Sequence, residues 1–169
     1  MTFVRGAVAA LAVLVALVLQ VSVFPHFAWE GVVPNLCLLV VVGAALTRGA
    51  QFAAVLGFLA GVALDLAPPA DHVAGRWALA LVIVGYVAGR VRQDLRPGAG
   101  AIVATVAASS FVGTSIYAIS GLLLDDPGLG VPQLLKIILV AVAWDVLLTP
   151  FVLPLVMRAF TRLEPARVA

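Results

Sequence analysis

Charge is the scarcest commodity in this chain. Only 11% of its 169 residues are charged, against roughly 25% in ordinary soluble domains. The ten Lys and Arg residues barely outnumber the eight Asp and Glu residues, and they form no run of one sign. That balance excludes a nucleic-acid partner, which would call for a basic patch or stripe. Cysteine is nearly absent as well. The single Cys37 lies in an apolar run, so neither a disulfide framework nor a thiolate metal site can form within one chain. The two histidines, His26 and His72, fall in different breaks of the sequence. Neither has a second ligand at zinc-like spacing, so both read as solvated loop residues. No apolar segment contains a histidine, which removes the base that an intramembrane serine protease needs. Phosphate loops, low-complexity tracts and soluble linkers are also missing.

What fills the chain instead is apolar sequence. Hydrophobic residues make up 64% of it, with a mean hydropathy of +1.20. Apolar segments recur at 3–24, 32–47, 51–66, 74–91, 100–124 and 132–157, separated by short polar breaks. A helix crossing the hydrocarbon core needs about 20 residues, with a range of about 17–25. The first and the last two segments meet that easily. The second and third are short and joined by the tight break "TRGA", so a shallow hairpin is the alternative to two crossings. We expect an all-α integral membrane protein, a compact bundle of about six transmembrane helices in one polytopic domain.

Charge placement supports six crossings. With a cytoplasmic N-terminus, Arg5, Arg48, Arg90, Arg92, Arg96, Arg158, Arg162 and Arg167 fall inside and only Arg76 and Lys136 outside. That is the positive-inside pattern, and it also places the C-terminus in the cytoplasm. Glu30, Asp71, Asp125 and Asp126 fall in the outer loops. Removing one short crossing would move part of the basic set outside. The first apolar run is about twice the usual 7–15 residues of a signal peptide, and "VSVFPHFAWE" after it offers no small-residue cleavage site, so it reads as a retained anchor. Trp29 and Trp77 fall at the expected outer boundary, where aromatic belts form.

Small residues mark several helix faces. Gly57, Gly61 and Asp65 in "GFLAGVALD" follow at four-residue spacing, as do Gly85 and Gly89 in "GYVAG". Thr105, Ser109, Gly113, Tyr117 and Gly121 share that spacing in the fifth segment. In lipid such faces let backbones approach closely. They serve either internal packing of the bundle or docking of a partner's transmembrane helix. The hydroxyls can also bond their own i−4 carbonyls. Pro34 and Asn35 open the second segment in "VPNLCLLVVV". Proline suits a first helical turn, and Asn35 can bond a freed backbone group or a loop. Pro150 and Pro154 in "TPFVLP" should kink the last segment and free carbonyls near residues 146 and 150, within reach of Thr149 or a neighbouring helix.

Two carboxylates inside apolar segments pose the main question. Asp145 in "AVAWDVLLTP" lies near mid-membrane, and Asp65 nearer the outer end of its segment. An aspartate at the centre of a spanning helix costs about 2.5–3.5 kcal/mol on insertion scales, so both should face protein or water. The readings are a structural aspartate, paired or neutral, and a proton- or ion-coupling site. Arg76, Lys136 and the fifth-segment hydroxyls are candidate neighbours. Intramembrane aspartyl proteolysis needs two carboxyls sharing a proton, but the G-x-G-D and Y-D contexts of those proteases are missing, as are the motifs of lipoprotein signal peptidase. A three-plus-three division, with Asp65 in the third segment and Asp145 in the sixth, would resemble inverted-repeat transporters, but the halves share little beyond those two residues.

Together the N-terminal anchor, "VPNLCLLVVV", "GFLAGVALDLAPPADHVAGRWALALVIVGYVAG" and a proline-containing last segment ending in "LPLVMR" resemble the rod shape-determining protein MreD family. The stretch 33–90 carries most of that likeness. The resemblance implies a multi-pass protein of the bacterial cytoplasmic (inner) membrane, with a fold similar to the substrate-binding subunits of energy-coupling-factor vitamin transporters. It implies a non-enzymatic scaffold of the cell-wall elongation machinery that supports peptidoglycan synthesis and cell shape, without cofactors. The implied partner is an MreC-like bitopic membrane protein, which links the chain indirectly to MreB, RodA and a class B penicillin-binding protein. The family pattern falls on Pro34, Asn35, Gly57, Gly61, Asp65, Leu66, Gly75 and Gly85. The "APPADH" loop departs from the smaller polar loop expected of relatives. The rival function is a small-molecule transporter or its binding subunit, with Asp65, Asp145 and the fifth-segment hydroxyls around one cavity.

Overall fold

The computed structural model describes residues 2–68, 73–91, 98–124 and 130–162. Six α-helices run through them: α1 (Thr2–Ser22), α2 (Leu36–Arg48), α3 (Ala50–Leu66), α4 (Arg76–Val91), α5 (Ala99–Leu123) and α6 (Val131–Thr161). A single 3-10 turn, Phe24–Phe27, follows α1. By length and composition α5 and α6 are each able to cross a membrane, while α2 and α3 are shorter apolar helices.

α2 is the axis of the bundle. Each residue from Leu36 to Thr47 is buried, and α1, α3, α4, α5 and α6 all pack against it. The cause is in its sequence: "LCLLVVVGAAL" has no polar face to turn outward, and a helix apolar all round stabilises itself only by burial. It opens at Leu36 rather than at residue 32. Val32–Asn35 enter in non-helical conformation, so Pro34 lies ahead of the helix and Asn35 occupies the N-cap. Before that entry, Glu30 (φ 52°) and Gly31 (φ 78°) form a tight turn. It is closed by paired hydrogen bonds between Trp29 and Val32. Positive φ at both central residues is the geometry that reverses a chain in two residues.

α3 and α4 form the most intimate pair. A Cβ added at Gly57 would lie 2.3 Å from the Leu81 carbonyl oxygen, and one at Gly61 would lie 2.3 Å from the Ala78 Cα. In return, a Cβ added at Gly85 would lie 2.5 Å from the Ala53 carbonyl oxygen, and one at Gly89 would lie 2.4 Å from the Ala50 Cα. These four contacts hold one antiparallel register, glycine against backbone on both sides. Of the two uses expected for these glycine rows, internal packing and docking of a partner helix, the structure shows the first: each row closes on the other's helix. Gly49, with φ 88° and ψ 179°, both ends α2 and begins α3. Only glycine adopts that backbone region readily, which explains how so short a break reverses the chain.

α6 holds Pro150 and Pro154 inside one continuous helix. Thr149 does donate a side-chain hydrogen bond at this point, but to the Asp145 carbonyl at 2.7 Å and not to the carbonyls of 146 or 150. Outward faces of α5 and α6 carry exposed Phe111, Ile119, Leu123, Leu139, Phe151 and Leu155. Apolar exposure on that scale suits hydrocarbon rather than water.

Candidate functional site

Helix ends set the problem that the polar residues of this chain solve. The first N–H groups and the last C=O groups of a helix have no partner within it. In hydrocarbon, water cannot supply one, and each unpaired group costs several kcal/mol. Three helix ends lie against other helices here. Each receives a side chain from elsewhere in the sequence.

The start of α2 is the most deeply placed. Asp145, on α6 and fully buried, accepts the Asn35 N–H at 2.8 Å through Oδ1. Its Oδ2 accepts the Ser110 hydroxyl of α5 at 2.6 Å. The Asn35 side chain turns inward and accepts the Leu38 N–H at 2.9 Å. Gln20 of α1 accepts the Cys37 N–H at 3.3 Å. Four residues from four helical segments thus converge on one buried helix start, and three of its backbone donors are satisfied. The Asn35 Nδ2 group is left buried without a partner among the described residues.

At the start of α4 the arrangement recurs with other residues. Asp65, near the end of α3 and 2% exposed, accepts the Gly75 N–H at 2.8 Å, the Ala78 N–H at 3.1 Å and the Trp77 N–H at 3.1 Å. A carboxylate against the positive end of a helix dipole is favourable in charge as well as in hydrogen bonding. Gly75 has φ 103°, a left-handed value that brings its N–H round to the carboxylate and that a side chain would strain. Next to it, the Arg76 guanidinium lies 4.0 Å over the Tyr117 ring and donates to the Tyr117 carbonyl at 2.9 Å. Trp77 stacks on the same Tyr117 ring with centroids 4.4 Å apart. Trp77 is therefore packed against α5, whereas Trp29 is exposed.

The third end belongs to α6. Arg48, the last residue of α2, donates to the Phe160 carbonyl at 2.9 Å, a cationic cap at the negative end of a helix. Lys136 is engaged at the opposite end of α6, paired with Glu30 at 2.5 Å.

The structure thus distributes the sequence candidates in a definite way. Gly57, Gly61, Gly85 and Gly89 come together between α3 and α4. Asn35 and Asp145 come together at the start of α2, with Pro34 just ahead of it. Asp65 engages the backbone of α4 instead, so the two carboxylates act on different helix ends. Thr105 bonds its own Ala101 carbonyl at 2.8 Å. His26 Nδ1 lies 3.2 Å from the Val23 carbonyl. Among the described residues, no three His, Cys, Asp or Glu side chains gather in a way that could hold a metal ion. Asp71, His72, Arg92, Arg96, Asp125, Asp126, Arg167 and most of the "APPADH" loop lie outside the described residues.

Ser110 is one of the fifth-segment hydroxyls expected beside a carboxylate, and it does meet Asp145; sequence reasoning passed over Gln20 and the capping role of Arg48. A signal existed for Gln20: it is a polar side chain inside an apolar segment, with no local reason to be there.

A family model described as rod shape-determining protein MreD matches residues 1–159. The chain belongs to the MreD family. That membership makes it a membrane protein with a role in rod shape determination, within a family of structural proteins. No curated protein and no solved structure matches the chain. The likeness to energy-coupling-factor subunits accordingly rests on the family resemblance alone. The capped starts of α2 and α4 in this MreD chain lie within the matched residues, and the capped end of α6, at Phe160, falls just past them.

Proposed function

We propose that this chain is a non-enzymatic scaffold of the cell-wall elongation machinery. In this reading it crosses the bacterial inner membrane six times, with both termini in the cytoplasm. It binds an MreC-like bitopic protein and, through it, supports peptidoglycan synthesis. MreB, RodA and a class B penicillin-binding protein are reached indirectly. Pro34, Asn35, Asp145, Pro150 and Pro154 shape the α2–α6 side of the bundle. Gly57, Gly61, Asp65, Gly85 and Gly89 build the α3–α4 pair, so they serve assembly by fixing the bundle's outer shape.

One observation carries this reading beyond the family match. Both membrane carboxylates are buried, and each of their oxygens already accepts a hydrogen bond from a helix start or a neighbouring hydroxyl. A carboxylate that shuttles protons or activates water must be within reach of the reacting species. The transporter reading draws on Asp65, Asp145 and the α5 hydroxyls around one cavity, and here Asp145 is hydrogen-bonded directly to Ser110 of α5 while Asp65 engages the start of α4.

Affinity capture of the full chain from bacterial membranes tests the proposal. We expect an MreC-like bitopic protein to be recovered with it at comparable abundance. Recovery of well-folded chain at native expression with no bitopic partner would overturn the scaffold reading.

A further inference from the structure

Between α1 and α3 runs an open groove of about 380 Å³. Gly6, Ala10 and Leu17 line it from α1, and Phe52, Leu59 and Ala63 line it from α3. Its walls are almost wholly carbon. Leu59 is exposed, and an added Cβ at Gly6 would meet nothing within 4 Å. The groove opens outward and not into the core.

Its length and its two ends differ in informative ways. From Gly6 to Leu17, at about 1.5 Å per residue, it extends about 17 Å. The hydrocarbon core of a bilayer is about 30 Å thick, so the groove covers about one leaflet. A spanning partner helix would call for twice that length. The end at Phe52 lies in edge contact with Phe160, with ring centroids 6.0 Å apart. The Phe160 carbonyl receives Arg48. Arg48 still has a buried Nε donor with no partner among the described residues. Arg158 and Arg162 stand on the last turns of α6 at this same end. The described acidic residues Glu30, Asp65 and Asp145 are engaged elsewhere. One end of the groove is therefore cationic and the rest is apolar.

We propose that this groove holds an anionic phospholipid of the cytoplasmic leaflet, with one acyl chain along α1 and α3 and its phosphate at the Arg48 end. The acyl chain fills a trough one leaflet deep, and the phosphate supplies Arg48, Arg158 and Arg162 with a counter-charge that none of the described acidic residues provides. The inference uses the orientation given under the proposed function but not the partner. The purified chain, free of any partner, is enough to test it.

The probes are phosphatidylglycerol and phosphatidylcholine with identical acyl chains, added to the full chain in mild detergent. Retained lipid is counted by native mass spectrometry. We expect phosphatidylglycerol to be retained about fivefold over phosphatidylcholine, the size of effect given by one basic side chain near a membrane surface. Raising the salt should shrink that ratio. Arg48→Gln should bring it close to one while leaving chain-dependent retention in place, a change that a purely structural role for Arg48 would not produce. Ala10→Phe fills the trough and should reduce retention of both lipids. Leu59→Trp does the same from α3, should the first variant fold poorly, and Leu139→Trp on α6 is the control that leaves retention unchanged. Equal retention of the two lipids by the parent chain would overturn the proposal. So would undiminished retention in both groove-filling variants. Loss of a co-purifying bitopic protein on Ala10→Phe with lipid retention intact would assign the groove to a partner helix instead.

Discussion

Asp65 Oδ2 lies 2.8 Å from the amide nitrogen of Gly75, across the connection between α3 and α4. One carboxylate thereby holds the end of one helix to the start of the next, and it accepts two further amides from that start. Removing it should be felt locally and strongly. Asp65→Ala leaves three N–H groups short of an acceptor, and each buried unsatisfied group costs about 1–3 kcal/mol. We expect a clear fall in melting temperature, with Asp65→Asn intermediate because it keeps one acceptor oxygen.

Asp145 and Ser110 should behave as a coupled pair. Their side chains meet at 2.6 Å in the core, so each single alanine variant strands the other. A double-mutant cycle on thermal or denaturant stability should give an interaction energy of about 0.5–3 kcal/mol. Strict additivity would contradict the contact.

The α3–α4 glycines should tolerate nothing larger. At Gly61 an added Cβ would meet Ala78 and Trp77 backbone atoms within 2.5 Å, so Gly61→Ala forces the helices apart. Overpacking of this kind costs about 1–3 kcal/mol, more than the helix propensity of about 1 kcal/mol that alanine gains over glycine. Gly6→Ala, inside α1 with open space around it, should instead stabilise the chain by up to about 1 kcal/mol. The two variants measured side by side separate close packing from simple propensity.

Topology can be read by labelling. Ala28 and Thr161 are exposed at opposite ends of the bundle in the six-crossing reading, while native Cys37 is buried. With a membrane-impermeant maleimide on intact cells, Ala28→Cys should react and Thr161→Cys should react only after permeabilisation. Labelling of both from outside would contradict the orientation.

The Glu30–Lys136 pair offers a contrast. Its side chains are 46% and 62% exposed, and exposed pairs contribute about 0–1 kcal/mol. Lys136→Ala should shift stability far less than Asp65→Ala or Asp145→Ala.

Helices were the legible part of this sequence, because apolar runs between short polar breaks leave little choice in lipid. Boundaries were less so: Pro34 suggested a first turn, but Asn35 caps one residue later and α2 opens at Leu36. The glycine rows were visible as close-approach faces. Periodicity alone does not say what approaches, and only the antiparallel register shows that each row meets the other's helix. The two aspartates were recognisable as residues in need of partners. Most of their partners are backbone amides at the starts of other helices, and an amide has no signature in a sequence. Charged and hydroxyl side chains drew attention as neighbours for that reason; of these Ser110 does meet Asp145, while Gln20 was passed over.

Hydrogen exchange tests the central claim, that the buried carboxylates act as caps for other helices, most directly. Peptides covering 73–80 and 33–40 would be followed in the parent chain, Asp65→Ala and Asp145→Ala. Local opening should appear only where a cap is lost. We expect Asp65→Ala to speed exchange at 73–80 and spare 33–40, and Asp145→Ala to do the reverse. Unchanged exchange at both helix starts, or the same pattern in both variants, would contradict the account.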